Sequence, residues 1–185
     1  MKKSSKKEAI METAEALFYE HGFHSVGVKK ILEQADVATM TMYYHFKSKE
    51  ELIAAVLRER EKQYFMRLDL IINKDGDAEA YIDSIVEAHL KWVEEEGMNG
   101  CMFLRAKQEY AGANEDISSL TQEHKQKLID KIAKDLRVFK NGESLSVQIS
   151  ILLEGITSMA QILDIEKVKA GAGHLADTIK VQTRK

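Results

Sequence analysis

The chain has no proline, one cysteine, one tryptophan and only ten glycines in 185 residues. Without proline nothing removes a rung from the helical hydrogen-bond ladder, and sparse glycine leaves few weak points, so long uninterrupted helices and an all-α fold are expected. The lone cysteine, Cys101, excludes an internal disulfide framework and fits a reducing compartment. No window offers eighteen consecutive apolar residues, and the basic start MKKSSKKEAIMETAEALF has no apolar run before its acids begin. Neither a membrane span nor a secretory leader is therefore expected, and the expectation is a soluble, cytoplasmic protein. Also missing are a glycine-rich phosphate loop, a nucleophile elbow, paired histidine and carboxylate motifs, and any Cys-x-x-Cys spacing. The sequence thus points away from an enzyme, a metal site and a cofactor.

What is present is segmented and helical. Ser5-Lys6-Lys7-Glu8 has the form of a capping box, and Ile10, Ala14, Leu17 and Phe18 follow at helical spacing up to Gly22, which ends a first helix near His21. Lys2, Lys3, Lys6 and Lys7 form a basic arm, which reads equally as a solvated terminus or as a phosphate contact. A second helix starts at Gly27, with Val28, Ile31, Leu32 and Ala35 apolar and Lys29 and Lys30 outward. Asp36-Val37 makes a turn into a third helix, about Ala38 to Phe46. Met42 and Phe46 would join Val37 in a small core, leaving Thr39, Met40, Thr41, Tyr43, Tyr44 and His45 on the other sides. A merely solvated helix would favour Glu and Lys over Thr and Tyr. Short hydroxyls and methyls suit base edges, while phenols and imidazole suit phosphates. Charge agrees: residues 1–49 carry eight lysines against six acids, whereas the rest is net acidic.

Ser48-Lys49-Glu50-Glu51 is a second capping box. It opens a long fourth helix to about Asn73, its apolar positions read as Leu52, Ala55, Val56, Gln63 and Met66. Over Ala9–Val56 the chain resembles the DNA-binding module of the tetracycline-repressor (TetR) family of transcriptional regulators. The resemblance rests on Gly22-Phe23, Ile31, Ala35 and Val37, and above all on the run Thr41-Met42-Tyr43-Tyr44-His45-Phe46-Lys47-Ser48-Lys49-Glu50-Glu51-Leu52. It implies DNA contacts at Lys29, Thr39, Met40, Thr41, Tyr43, Tyr44, His45 and Lys49. Two positions depart from the pattern: Asp36 stands where a turn glycine is usual, and Gly27 where a hydroxyl often precedes the second helix. The implied architecture is a three-helix helix-turn-helix domain, residues 1–49, joined through the long helix to a helical effector-binding and dimerisation domain, residues 50–185, in about nine helices.

Beyond residue 73 the pattern gives helices from about Ala80 to Glu96, Cys101 to Ala111, and from an Asn114 cap onward. An eighth would be capped by Ser144 and run through Leu163, and a ninth would cover Ile165 onward with a frayed VQTRK end. The family resemblance implies a small-molecule pocket, for which Phe65, His89, Trp92, Cys101, Met102, Phe103, Tyr110 and Met159 are candidate lining groups; aromatics and methionines at helical spacing also serve as plain core filling. Cys101 lacks a resolving partner and reads as an inert thiol. The eighth helix carries two apolar stripes, so it needs two partners. The family resemblance implies that with the ninth it pairs with a second subunit, through Leu152, Gly155, Ile156, Ser158, Met159, Ile162, Leu175 and Ile179, the alternative being a helix central within one subunit. The expected function is a homodimeric, effector-released repressor on a palindromic double-stranded operator, with a ligand-independent architectural DNA-binding protein as the rival reading.

Overall fold

A computed structural model describes residues 5–139 and 141–183. The described residues form nine α-helices: α1 Lys6–His21, α2 Val28–Ala35, α3 Thr39–His45, α4 Lys49–Ile71, α5 Ala78–Glu96, α6 Met102–Tyr110, α7 Glu115–Leu136, α8 Gly142–Met159 and α9 Ile165–Lys180, followed by a 3-10 turn, Val181–Thr183. The all-α expectation holds. Lys2 and Lys3 of the basic arm, and Arg184 and Lys185 of the expected frayed end, lie outside the described residues; Val181–Thr183 is an ordered 3-10 turn.

The chain divides into two compact units. The first takes in the chain up to Glu61 together with Met102–Gln122, and the second comprises Lys62–Cys101 and Glu123–Lys185. Helices α4 and α7 each begin in the first and end in the second.

In the first unit, α1 packs on α2 and α3. Its start is fixed by the predicted reciprocal cap: Ser5 Oγ accepts from the Glu8 amide at 3.3 Å and the Glu8 carboxylate accepts from the Ser5 amide at 2.7 Å. The stripe Ile10, Ala14, Leu17 and Phe18 is buried as expected, with Phe23, Val26, Ile31, Leu32, Met42 and Phe46. The Phe18 and Phe23 rings lie 5.1 Å apart. Each such buried apolar side chain contributes on the order of 2 kcal/mol. Two further caps form where expected: Asn114 accepts from the Ile117 amide at 3.0 Å, and Ser48 from the Glu51 amide at 3.1 Å. The Glu51 carboxylate reaches back to the Lys47 amide, one residue earlier than a standard box.

The apolar face of α4 differs from the expected one. Leu52, Ile53, Val56, Leu57, Tyr64 and Leu68 are buried together with the charged Arg60, whereas Met66 is exposed. Arg60 is held by Glu15 of α1 at 2.6 Å and stacks over the Tyr19 ring at 4.7 Å, so its charge is compensated inside the first unit.

In the second unit, α5, α8 and α9 pack together. Its core is built from Ile82, Ile85, Leu128, Ile132, Leu145, Ile149, Leu153, Val168, Ala172 and Ala176, among others. Helix α8 starts two residues before Ser144. Asn141 takes a left-handed φ of 65° as its N-cap, and a Cβ on Gly142 would lie 2.5 Å from the Leu136 carbonyl oxygen. Glycine is thus required by that close backbone approach, and the hydroxyl of Ser144 instead accepts from Gln148. Helix α8 also stops at Met159, so Ile162 and Leu163 lie in the following turn. No helix among the described residues is long and apolar enough to cross a membrane.

Candidate nucleic-acid interface

The short helix α3 is oriented by two anchors. Met42 and Phe46 are fully or almost fully buried, and the Lys7 ammonium sits 5.7 Å from the Phe46 ring centre. With those fixed, the other residues of the helix must face outward. Thr39, Met40, Tyr43 and Tyr44 are exposed, Tyr44 by 85%, while Thr41 and His45 are half-buried. The Tyr44 and His45 rings meet edge to face at 5.0 Å, which restricts both before any contact is made. Val37 is half-buried rather than a full core member.

Helix α2 enters from Gly27 with no side-chain cap, and Lys29 and Lys30 in its first turn are both exposed. Lys29 reaches no closer than 3.7 Å to Glu33 and its side chain is 90% exposed, so its charge is available to an anion. A concave strip of about 680 Å³ runs between α2 and α3, lined by Val28, Lys29, Thr39 and Tyr43 among others. The turn joining the helices places Asp36 at φ 53° and ψ 48°, the left-handed conformation that glycine usually supplies, and the Val37 amide closes it onto the Leu32 carbonyl at 3.1 Å. Lys49 is half-buried at the start of α4. Its burial lowers the ammonium's pKa, opposed by the charges of Glu50 and Glu109.

All eight residues expected to meet DNA therefore belong to one unit, and six of them come from a single seven-residue helix. The arrangement sets hydroxyls, a thioether, phenols and imidazole around the two anchors, with Lys29 sharing a concave strip with Thr39 and Tyr43.

The family model described as "Bacterial regulatory proteins, tetR family" matches residues 10–56, the stretch that builds this block. Among curated proteins, the fatty acid metabolism regulator protein of Bacillus subtilis is 30% identical over 87 residues, 47% of this chain and 45% of that protein. The HTH-type transcriptional repressor NemR of Escherichia coli is 27% identical over 115 residues, 61% of this chain and 58% of that protein. Those matches thus span about half the length of the curated relatives. Over nearly the whole chain, a solved TetR transcriptional regulator from Legionella pneumophila superposes with a TM-score of 0.80 at 26% identity, covering 96% of this chain and 98% of that one. Residues 10–56 thus match the DNA-binding module of the TetR family. A further family structure, from Streptomyces coelicolor, shares the fold at a TM-score of 0.89 and 23% identity, covering 97% of this chain and 96% of that one.

The candidate effector-lining residues fall in both units. Phe65, His89, Trp92 and Cys101 belong to the second unit, whereas Met102, Phe103 and Tyr110 belong to the first. Tyr110 is packed there against Phe23, at 6.3 Å, and His24, at 4.7 Å. Met159 is in the second unit but 39% exposed. What the second unit does assemble is a polar interior centred on Tyr64, which the sequence pattern missed. The Tyr64 hydroxyl is 2.9 Å from His89 Nδ1, and His89 Nε2 is 2.8 Å from the Thr157 hydroxyl, which itself donates to the Leu153 carbonyl. Because the Thr157 hydroxyl directs its hydrogen to the Leu153 carbonyl, His89 donates to it from Nε2 and accepts from Tyr64 at Nδ1. Trp92 and His124 flank the Tyr64 ring at 5.3 and 5.8 Å, and Phe65 lies 5.7 Å from His124.

Burial, assisted by the charge of Lys125, pushes the pKa of both His89 and His124 down to about 3, so both are neutral. Burial also pushes the Tyr64 phenol up, keeping its proton. Lys125 is neutralised by Glu154 at 2.5 Å; burial disfavours its charge, but Cys101 and Glu154 outweigh that and raise its pKa. Among the described residues the cluster around Tyr64 is therefore neutral, and the charge of Lys125 beside it is compensated by Glu154.

The proposed dimer residues also divide. Leu152, Ile156 and Ile179 are buried in the core of the second unit and are thus committed within one subunit. Gly155, Ser158, Met159, Ile162 and Leu175 are exposed, and so are Val147 and Ile151 on the same helix. An added Cβ at Gly155, Gly171 or Gly173 would meet nothing within 4 Å, so open space lies over these glycines.

Proposed function

We propose that this protein is a DNA-binding transcriptional regulator that reads a palindromic operator as a homodimer and is released by a small-molecule effector. The observation that carries the reading is the face of α3, where Thr39, Met40, Thr41, Tyr43, Tyr44 and His45 surround two buried anchors, Met42 and Phe46. In the major groove, Thr41 and the Met40 thioether face base edges and thymine methyls. Tyr43, Tyr44, His45, Lys29 and Lys49 meet phosphates. A seven-residue helix spans too few base pairs for useful specificity by itself, which favours two copies on an inverted repeat.

The apolar row Val147, Ile151, Met159 and Ile162, with Leu175 and the bare glycines of α8 and α9, supports a four-helix contact between subunits through these helices. The buried polar groups Tyr64, His89 and Thr157 support an effector that offers hydrogen-bonding groups of its own. Its binding would shift the population away from the DNA-reading state by no more than its differential affinity for the two states.

Selection of duplexes from a random pool by the purified protein tests this. An inverted repeat with half-sites about one helical turn apart is the expected outcome. On the selected duplex, Tyr43→Phe should weaken binding to every sequence alike if the phenol meets phosphate. Recovery of unrelated duplexes with no shared sequence would favour an architectural role.

A further inference from the structure

The corner between α1 and α2 is held from outside the three-helix block by one turn of α6. Glu109 accepts from the Phe23 amide at 3.1 Å through one carboxylate oxygen and from the His24 amide at 2.6 Å through the other. The His24 ring nitrogen Nε2 donates to the Glu109 carbonyl oxygen at 2.7 Å, and the same imidazole lies against Tyr110. One turn earlier, Arg105 donates to the Tyr19 carbonyl at 2.7 Å and to the Phe18 carbonyl at 3.4 Å, near the C-terminal end of α1. Opposite charges on one face of α6 thus meet opposite backbone groups: Arg105 takes carbonyls at a helix C-terminus, and Glu109 takes the amides of the chain leaving it.

The corner is shaped for this. Gly22 adopts a φ of 85°, and a Cβ there would lie 2.8 Å from Glu109 Oε1, so the residue gives both the turn and the room for the carboxylate. Helix α6 is itself tied to α7, because Thr121, almost fully buried, donates to the Phe103 carbonyl at 2.7 Å. The family's usual DNA contacts include none of Arg105, Glu109 or Gly22 in this chain.

We propose that Glu109, with Arg105, is a positioning residue for DNA recognition: the two fix the angle at which the α1–α3 block is presented, and so the distance between the two reading helices of a dimer. The proposal rests on the dimeric reading above. A dimer with rigid heads binds an inverted repeat well at one half-site separation and poorly at others, whereas loosened heads lose affinity at the correct separation and regain tolerance at wrong ones.

The test uses the duplex selected by the wild-type protein and versions with one or two base pairs inserted or deleted between the half-sites. The variants are Glu109→Ala, which removes both acceptors, and Glu109→Gln, which keeps one oxygen. For Glu109→Ala we expect affinity at the selected spacing to fall about tenfold, the worth of one charge-assisted hydrogen bond. The penalty for changed spacing should shrink by a similar factor, and Glu109→Gln should fall between. Amide exchange at Phe23 and His24 should rise in the same order. An equal loss at every spacing would mean a structural defect and would overturn the proposal, as would no loss at all. If Glu109→Ala does not fold, Glu109→Gln is judged by the same spacing criterion. Failure to select any inverted repeat would instead count against the dimeric reading itself.

Discussion

Acid should unfold the second unit through two histidines, and one of them can be silenced to measure the effect. His89 and His124 are 6% and 4% exposed, and burial first, then the positive charge of Lys125, lowers each pKa to about 3. An unfolded histidine titrates near 6.5. Because the folded value is the lower one, the unfolded chain binds more protons between about pH 6.5 and 3. The stability is fully present above pH 6.5 and is lost as pH falls through that window. Each histidine contributes a slope approaching 1.4 kcal/mol per pH unit. From pH 6 to pH 5 the pair should therefore remove roughly 2 kcal/mol, a large share of the usual 5–15 kcal/mol. In His124→Phe the ring still fills its place beside Tyr64 and Phe65 but cannot be protonated, so the same pH step should cost roughly half as much. Urea unfolding at fixed protein concentration, followed by circular dichroism at pH 7.5, 6 and 5, reads both slopes. Acid-labile carboxylates such as Asp69, held by Lys131 and Lys74, titrate alike in both proteins and cancel in the comparison. A variant that loses as much stability as wild type between pH 6 and 5 would refute the argument.

Three other perturbations probe separate parts of the structure. Tyr64→Phe removes the donor to the buried His89 Nδ1 and should lower stability by about 1–3 kcal/mol, read as a shifted urea midpoint with an unchanged slope; an unmoved midpoint would mean the relay contributes nothing. Gly22→Ala places a Cβ at positive φ and against Glu109, and should cost about 1–2 kcal/mol in thermal unfolding, with retention of the wild-type melting temperature as the contrary result. Ile151→Glu alters a side chain that is 67% exposed, so each protomer should keep its fold while sedimentation shows monomers; a dimer of undiminished stability would place the subunit contact elsewhere.

The α1–α3 block was legible because its signals are local. Two buried anchors one turn apart in α3, Met42 and Phe46, leave only one way for the remaining side chains to face, and the caps at Ser5, Ser48 and Asn114 are short-range hydrogen bonds. Asp36 adopted the left-handed turn despite lacking the usual glycine, because its amide and that of Val37 both close onto carbonyls of α2. Helix α4 was read less well. A buried arginine looks polar in sequence, so ignoring Arg60 moved the apparent stripe toward Met66 and away from Tyr64, the centre of the interior network. The two stripes of α8 were both visible, yet periodicity cannot say which one its own subunit covers. The structure gives Leu152 and Ile156 to the core and leaves Val147 and Ile151 outside. Ser144 was read as the cap of α8, whereas the helix begins at Gly142, where the nearby Leu136 carbonyl oxygen leaves no room for a side chain. Contacts between residues distant in sequence, such as Glu109 with Phe23 and His24, have no pattern by which to be found.

The central claim is that α3 reads bases and that two copies do so symmetrically. Selecting duplexes from a random pool with wild-type protein and again with Thr41→Ala tests both parts in one comparison. The account predicts an inverted repeat in each case, with base preference relaxed at the same position of both half-sites in the variant and preserved elsewhere, at a cost of about 1–3 kcal/mol in discrimination there. An unchanged preference would contradict base reading by α3, and a change in only one half of the site would contradict the symmetric dimer.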